Sequence, residues 1–436
     1  MFEPINVRID GGYEIEFPKM IPVLQKFNAA KVEDIEGTVT SELSKPEIAS
    51  KIKPNQKIAI AVGSRGVANT NKVVKAIVAK VKALGAEPFV IPAMGSHGGA
   101  TAEGQTQVLA SYGVTEEYVG APIVASMDVV QVGNLSNGLP VYCDSHAYHA
   151  DGIIVLNRIK AHTDFKGPYE SGLVKMMVIG LGKHKGATVT HSNGFANFKD
   201  VIPEAGKVLL EKTPILLGVA LLENSYDQTA KIEAIPSERI MEREPVLLEE
   251  SKGYLPRFTF PKIDVLLVDQ IGKDISGAGM DPNIVGRPGS GLSGFDGVPE
   301  IQKIVALGLT ETTHGNAVGI GTADLTTRKV VNEIDFPSTY ANSITSTVLG
   351  PSKIPIIMNT EKEALVVALK TLTNTKIADA KIVYIKNTLE LQQIYVSEAL
   401  LPEIQDTNRF EILGEPEEIK FNAEDEIVVR PKGNEH

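Results

Sequence analysis

Residues 57–97 decide the fold: KIAIAVGSR (57–65), NKVVKAIVAKVKALGAE (71–87) and PFVIPAMGSH (88–97). The first and third stretches are continuous apolar runs that end in polar residues, as buried strands do. The middle stretch repeats its apolar residues at the spacing of one helix face: Val74, Ile77, Val78, Val81 and Leu84. Strand, helix and strand in this order predict a βαβ unit whose parallel sheet is buried on both faces.

The same alternation continues toward the C-terminus. GIIVLNRIKAH (152–162) and PILLGVALLEN (214–224) predict two more buried strands, and KIDVLLVDQIGK (262–273) opens a second α/β segment. A polar, proline-bearing stretch around 250–262 separates the two segments. A chain of 436 residues has room for roughly two to four domains.

We therefore predict an α/β fold of two domains with mainly parallel sheets. The predicted domains are residues 1–258 and 259–436. Within the second domain we expect a helix near 299–308, and strands alternating with helices in 353–372 and 381–401.

Composition excludes several classes of protein. With 43 basic and 54 acidic residues, the net charge of −11 argues against general nucleic-acid binding. Cys143 is the only cysteine, which excludes internal disulfides, cysteine-held zinc and iron–sulfur clusters. No apolar stretch is long enough to span a membrane, and the first thirty residues lack a signal-peptide pattern. We predict a cytoplasmic protein that acts on a small molecule; its oligomeric state stays open.

Polar side chains follow four of the predicted strands at their carboxyl ends. They are Ser64-Arg65, Ser96-His97, Lys160 to His162 and Gln270 to Lys273. Ligands of parallel α/β sheets bind beyond this edge, so the four loops predict one shared site. The alternative is that polar residues follow these strands only because loops are polar.

His97 and His162 are the candidate acid and base. His97 lies in AMGSHGGAT, where glycines let a ligand approach the backbone, and His162 lies in the basic stretch RIKAHTDFKG. Histidines on two strands can face a substrate from opposite sides, as the inversion of a stereocentre requires. The alternative is one catalytic and one structural histidine.

The stretch ESGLVKMMVIGLGKHKGATVTHSNG (170–194) contains a lysine in an apolar setting. Lys175 has apolar neighbours, where lysine is uncommon unless it is paired, modified or catalytic, and His191 follows 16 residues later. GLGKHKG (180–186), with Lys183 and Lys185, resembles a phosphate-binding loop in composition. It matches neither common nucleotide motif. The roles of His184 and His314 stay open.

These motifs together resemble the nickel-dependent lactate racemase family of 2-hydroxyacid racemases and epimerases. The motifs that carry the resemblance over most of the chain are Arg65 in VGSRG, His97 in GSHGG, His162 in KAHTDFKG, Lys175 in SGLVK, His191 in VTHSNG, Gln270 and Lys273 in DQIGK, KDISGAGMDPNIVGR (273–287) and TADLTTRKVVNEIDFPSTYANSIT (322–345).

The resemblance implies an isomerase with a nickel pincer nucleotide, a lysine-tethered pyridinium-3,5-dithiocarboxylic acid mononucleotide that holds Ni(II). It implies that Lys175 tethers this cofactor and that His191 binds the nickel, as square-planar Ni(II) with soft and imidazole donors allows. His97 and His162 would be alternating acid/bases. The groups that would hold the substrate carboxylate and hydroxyl are Arg65, Gln270 and Lys273. The resemblance thus implies that residues 1–258 bind the cofactor and carry the catalytic residues. It also implies that residues 259–436 contribute substrate-binding residues, with a cofactor and substrate cleft between the two domains.

The chain departs from the prototype of the family near this site. Val62 stands where the prototype has an acidic residue, and the stretch between His162 and Lys175 is a few residues longer. The substrate is therefore open among lactate-like, malate-like and sugar-acid 2-hydroxyacids. Two other functions are considered: a hydrolase or lyase with zinc on His97, His162 and His191, and a sugar-acid or nucleotide-binding protein without catalysis.

Overall fold

The computed structural model describes residues 3–63 and 66–433. Their strands, in chain order, are β1 (Met20–Gln25), β2 (Lys57–Val62), β3 (Glu87–Pro92), β4 (Val129–Asn134), β5 (Pro140–Asp144), β6 (Gly152–Arg158), β7 (Ile215–Glu223), β8 (Thr229–Pro236), β9 (Lys262–Val268), β10 (Glu300–Ala306), β11 (Leu325–Thr327), β12 (Ile356–Met358), β13 (Ile382–Ile385), β14 (Gln393–Ser397) and β15 (Phe410–Ile412).

The α-helices of the same residues are α1 (Ile35–Glu42), α2 (Pro46–Ala49), α3 (Thr70–Ala83), α4 (Ala102–Ser111), α5 (Glu116–Val119), α6 (Ser145–Tyr148), α7 (Leu173–Lys175), α8 (Lys183–His191), α9 (Phe198–Lys212), α10 (Ile240–Lys252), α11 (Pro282–Val285), α12 (Arg328–Glu333), α13 (Phe336–Ser346) and α14 (Glu361–Lys370).

Two compact units make up the chain. One is Ala29–Leu255, and the other combines Met1–Asn28 with Pro256–His436. This division differs from the predicted one in the place of the first 28 residues. Their strand β1 pairs with β14 and β15, and it buries Ile21 and Val23 in the core of the C-terminal sheet.

The unit of residues 29–255 is built on a five-stranded sheet with the order β3-β2-β6-β7-β8. The first four strands are parallel and β8 is antiparallel to β7. Helix α3 packs its buried face, including Val74, Ile77 and Val81, against Ile58 and Ile60 of β2. The helix ends at Ala83 because Gly85 turns the chain with a φ of +80°. The βαβ unit predicted from residues 57–97 is thus present.

The other unit contains an eight-stranded sheet with the order β12-β11-β10-β9-β13-β14-β1-β15. Strands β12 to β13 of this order are parallel, and β14, β1 and β15 are antiparallel to their neighbours. The predicted α/β class with mainly parallel sheets is confirmed.

Two predicted helices of this unit are wrong. Residues 300–306 form strand β10, whose Ile304, Val305 and Ala306 are buried between β9 and β11. After β13 the chain turns back into strand β14, where a helix was expected. Both segments are short apolar runs, for which periodicity does not distinguish a strand from a buried helix.

Candidate active site

The segment that carries Lys175 and His191 is helical but irregular. Helix α7 runs into a π-helical turn, Met176–Gly180, before α8 begins at Lys183. Such π-helical turns are often found at functional sites. Close packing accounts for the glycines: a Cβ on Gly182 would lie 2.4 Å from the carbonyl oxygen of Val178. Lys175 therefore lies at the start of the irregular turn and His191 at the end of α8.

His162 contacts Lys175 directly, with 2.6 Å between Nε2 and Nζ. The ring is only 8% exposed, and its Nδ1 accepts a hydrogen bond from the Asp164 backbone N–H at 3.0 Å. The backbone N–H of His162 donates to the buried carboxylate of Glu170 at 2.7 Å, and Lys166 also binds that carboxylate, at 3.2 Å. Both the ring and the main chain of His162 are therefore fixed.

Three phenylalanines pack against the two imidazoles of this site. Phe165 lies 4.4 Å from the ring of His162, and Phe198 lies 5.3 Å from the ring of His191, centroid to centroid. Phe195 contacts both imidazoles, at 6.0 and 5.9 Å. Sequence reasoning did not identify this cluster, although DFKG (164–167) and GFANF (194–198) lie beside the predicted histidines.

The surroundings of His191 favour the neutral form of its imidazole. Burial lowers the pKa of its imidazole, against the opposing effect of the hydrogen bond to the Ala187 carbonyl. Nδ1 lies 2.7 Å from the carbonyl oxygen of Ala187, which can only accept, so Nδ1 carries the proton. Nε2 is then the nitrogen with the lone pair. A histidine that binds a metal usually donates its other N–H to a carbonyl in this way.

Glu244 supports the start of α7 from a distant helix. It is almost completely buried on α10, and its Oε2 accepts the backbone N–H of Val174 at 2.9 Å. Burial raises the pKa of this carboxyl to about 8. Gly172 allows the approach, because a Cβ there would lie 2.3 Å from Oε1. Glu244 was not predicted from the sequence, since it lies 70 residues from its partner.

His97 follows β3 at the same edge of the sheet at which His162 follows β6. Strand β2 separates these strands, so the two loops leave the sheet roughly 10 Å apart. The His97 side chain is exposed, and its carbonyl accepts a hydrogen bond from the buried amide of Gln105 at 3.3 Å. The sheet thus places the two histidines on either side of one strand.

Lys183 has different partners from those predicted. Its side chain is fully buried, with Nζ 2.5 Å from the Pro92 carbonyl, 3.1 Å from Gln105 Oε1 and 3.2 Å from Asp144 Oδ2. Burial lowers the pKa of this lysine against the opposing effect of Asp144. The ammonium donates to two acceptors inside the fold and forms an ion pair with Asp144, so it is not directed at a phosphate. Lys185 is exposed and lies over the ring of Tyr142, 4.6 Å from its centroid.

The remaining predicted residues are Arg65, Gln270 and Lys273. Arg65 lies outside the described residues. Gln270 and Lys273 are in the other compact unit, where the Lys273 Nζ donates to the Gly277 carbonyl at 2.8 Å and to Asn342 Oδ1 at 2.5 Å.

Residues 3–63 and 66–433 contain neither a cluster of metal ligands nor a membrane-spanning helix. In these ranges no three His, Cys, Asp or Glu side chains come together as metal ligands. The zinc site on His97, His162 and His191 is therefore not formed. The helices in this part of the chain are too short or too polar to cross a bilayer.

Comparison with known proteins agrees with the resemblance seen in the sequence. A search of curated protein sequences gives no significant match. Among solved structures, the lactate racemase apoprotein from Thermoanaerobacterium thermosaccharolyticum matches with a TM-score of 0.50 and 14% identity. The match covers 82% of this chain and 92% of that one, and at this identity it concerns the fold. The family model of the lactate racemase N-terminal domain matches residues 12–201. Residues 12–201 are therefore similar to a lactate racemase N-terminal domain.

Proposed function

We propose that this protein inverts the C2 stereocentre of a 2-hydroxyacid, and that it uses a nickel pincer nucleotide tethered to Lys175. The observation that carries the proposal is the arrangement of Lys175, His162 and His191. A half-buried lysine lies against one imidazole, and the other imidazole presents an unprotonated Nε2 in aromatic surroundings.

The residues present fit this cofactor. Lys175 offers a primary amine for the tether, and the neutral His191 offers Nε2 to nickel. Lys185 remains available for the phosphate of the nucleotide, whereas Lys183 does not, because its ammonium is buried with Asp144. When bound, the nickel pincer nucleotide supplies a reversible acceptor for the hydrogen on C2 of the substrate.

The chain itself supplies proton transfer and orientation. One of the two histidines, His97 or His162, takes the proton of the C2 hydroxyl group. The planar 2-oxoacid then rotates to present its opposite face, and the other histidine returns a proton to the oxygen. Their loops flank β2, so the two imidazoles approach the substrate from two sides. We assign Arg65, Gln270 and Lys273 to the carboxylate and hydroxyl, which charge-assisted hydrogen bonds would hold during the turn. The phenylalanines exclude water from the side of His162 and His191.

The substrate class extends from lactate-like to malate-like acids and sugar acids. A panel of 2-hydroxyacids in both configurations, followed by chiral chromatography, distinguishes these classes. We propose a cytoplasmic location on the same grounds as the function, since the substrates considered are small metabolites.

The test is mass spectrometry of protein co-produced with the enzymes that make the cofactor, with nickel measured on the same sample. We expect a nickel-bearing adduct on Lys175, its loss in Lys175→Ala, its retention without turnover in His97→Ala, and no turnover in His162→Ala. An unmodified Lys175, in a host where a control racemase is loaded, contradicts the proposal. So does full activity of Lys175→Ala.

A further inference from the structure

The two ring nitrogens of His162 have partners that determine where its proton lies. Nδ1 is 3.0 Å from the backbone nitrogen of Asp164, and a backbone N–H can only donate. Nδ1 is therefore the acceptor, and the neutral ring carries its proton on Nε2. This is the opposite tautomer to that of His191, whose Nδ1 donates to Ala187.

The position of this proton determines the state of Lys175. Nε2 of His162 is 2.6 Å from Nζ, so its N–H points at the lysine nitrogen. An ammonium has three donors and no lone pair, whereas a neutral amine has one. We propose that His162 holds Lys175 as a neutral amine, which makes this lysine a nucleophile before any cofactor is attached. This inference rests on the proposed function only for the identity of the electrophile that Lys175 meets.

The surroundings of the pair also disfavour a second cation. Lys166 already places an ammonium 3.2 Å from the His162 carbonyl, and Phe165 covers the imidazole. Titratable groups near the pair include Asp164, Glu170, His191, Glu244 and Lys252, which lies 3.5 Å from Glu170. The carboxylate of Asp164 favours positive charge, but its Oδ2 is 3.8 Å from Nδ1 and is bound to the hydroxyl of Thr163. Glu170 is paired with Lys166.

The consequence is a large gain in reactivity near neutral pH. An ordinary lysine, with a pKa near 10.4, is neutral in roughly one molecule in 2,500 at pH 7. Attack on an acyl or thioacyl carbon needs the lone pair of the amine. A lysine that is already neutral skips this unfavourable deprotonation, so Lys175 would react selectively among the lysines of the chain.

Competitive acetylation of the full-length protein, produced without cofactor, tests the inference. Trace acetic anhydride is added between pH 7 and 9, where the amine attacks the anhydride carbonyl, acetate leaves and the nitrogen loses its proton to buffer. Peptide mass spectrometry compares Lys175 with the exposed Lys199. The labelling rate of Lys199 should rise about 100-fold over these two pH units. The rate of Lys175 should rise less than about 5-fold.

Variants assign the effect to His162. In His162→Phe the acetylation rate of Lys175 should rise with pH as steeply as that of Lys199. As a control, substitution of the exposed His149 by Phe should leave the rate of Lys175 nearly independent of pH. Circular dichroism and the Tm check that both variants fold. If His162→Phe does not fold, ¹⁵N shifts of the wild-type imidazole decide, because an Nδ1–H tautomer of His162 would overturn the inference.

The inference is also overturned if the acetylation rate of Lys175 in the wild type rises steeply with pH. The same holds if this rate stays nearly independent of pH in His162→Phe. These outcomes are separate from the proposed function. If Lys175 carries a nickel adduct but its acetylation rate rises steeply with pH, only the inference is contradicted. If the acetylation rate is nearly independent of pH but no nickel adduct forms, only the proposed function is contradicted.

Discussion

Removal of the Lys183 ammonium should destabilise the unit of residues 29–255 severely. Lys183 and Asp144 are both fully buried, and their charged atoms are 3.2 Å apart. Lys183→Met keeps the length of the side chain but leaves the Asp144 carboxylate unpaired in the core. Breaking a buried pair in this way costs about 3–5 kcal/mol. The Pro92 carbonyl and Gln105 Oε1 also lose a donor.

A double variant separates the charge from the packing. Asp144→Asn removes the charge, and its amide oxygen can still accept the backbone N–H of Ala147, as Asp144 does at 2.9 Å. Lys183→Met/Asp144→Asn should therefore recover at least about 2 kcal/mol of the loss. Urea unfolding followed by circular dichroism measures the free energies of unfolding. A loss below about 1 kcal/mol in Lys183→Met, or a double variant no more stable than this single one, refutes the reasoning.

Three further substitutions test other contacts of the same unit. Glu244→Gln should flatten the pH dependence of the free energy of unfolding. The carboxyl has a pKa of about 8 in the folded protein and 4.5 in the unfolded chain. Its contribution to the free energy of unfolding is therefore complete below pH 4.5 and is lost as the pH rises through 8. The loss is on the order of 4–5 kcal/mol, and thermal unfolding from pH 5 to 9 measures it; an unchanged pH profile in the variant contradicts the assignment. Gly182→Ala should lower the free energy of unfolding by about 1–3 kcal/mol, because its Cβ would lie 2.4 Å from the Val178 carbonyl oxygen. If urea unfolding shows no decrease, the π-helical turn must shift to accommodate the methyl group. His191→Ala should keep the Lys175 adduct but lose nickel, and elemental analysis that still finds nickel would reassign the ligand.

Local patterns predicted the elements of the sheet, but not the partners of every strand. Periodicity identified β2, α3 and β3 because their apolar residues repeat within short windows. It assigned β10 to a helix, because seven residues with three buried at the end fit either structure. The N-terminal strand β1 joins β14, more than 350 residues later, and no local signal encodes that pairing.

The sequence suggested candidate site residues, but not the contacts that hold them in the structure. Lys175, His162 and His191 stand out as lysine or histidine in unusual settings, and the structure brings Lys175 and His162 into contact. Lys183 looked like a phosphate contact because its neighbours are glycines and a lysine. Its burial depends on Asp144 and Gln105, which lie far from it in the sequence.

Three buried polar side chains share one task in this unit: each binds the main chain next to a predicted site residue. Gln105 binds the carbonyl of His97, Glu170 binds the N–H of His162, and Glu244 binds the N–H of Val174, next to Lys175. Burying such groups costs free energy that apolar side chains of similar volume would not cost. We therefore infer that these side chains position the backbone of the site. Because the site residues lie on loops and on an irregular helix, whose backbone has few ladder hydrogen bonds of its own, these side chains replace the missing constraints.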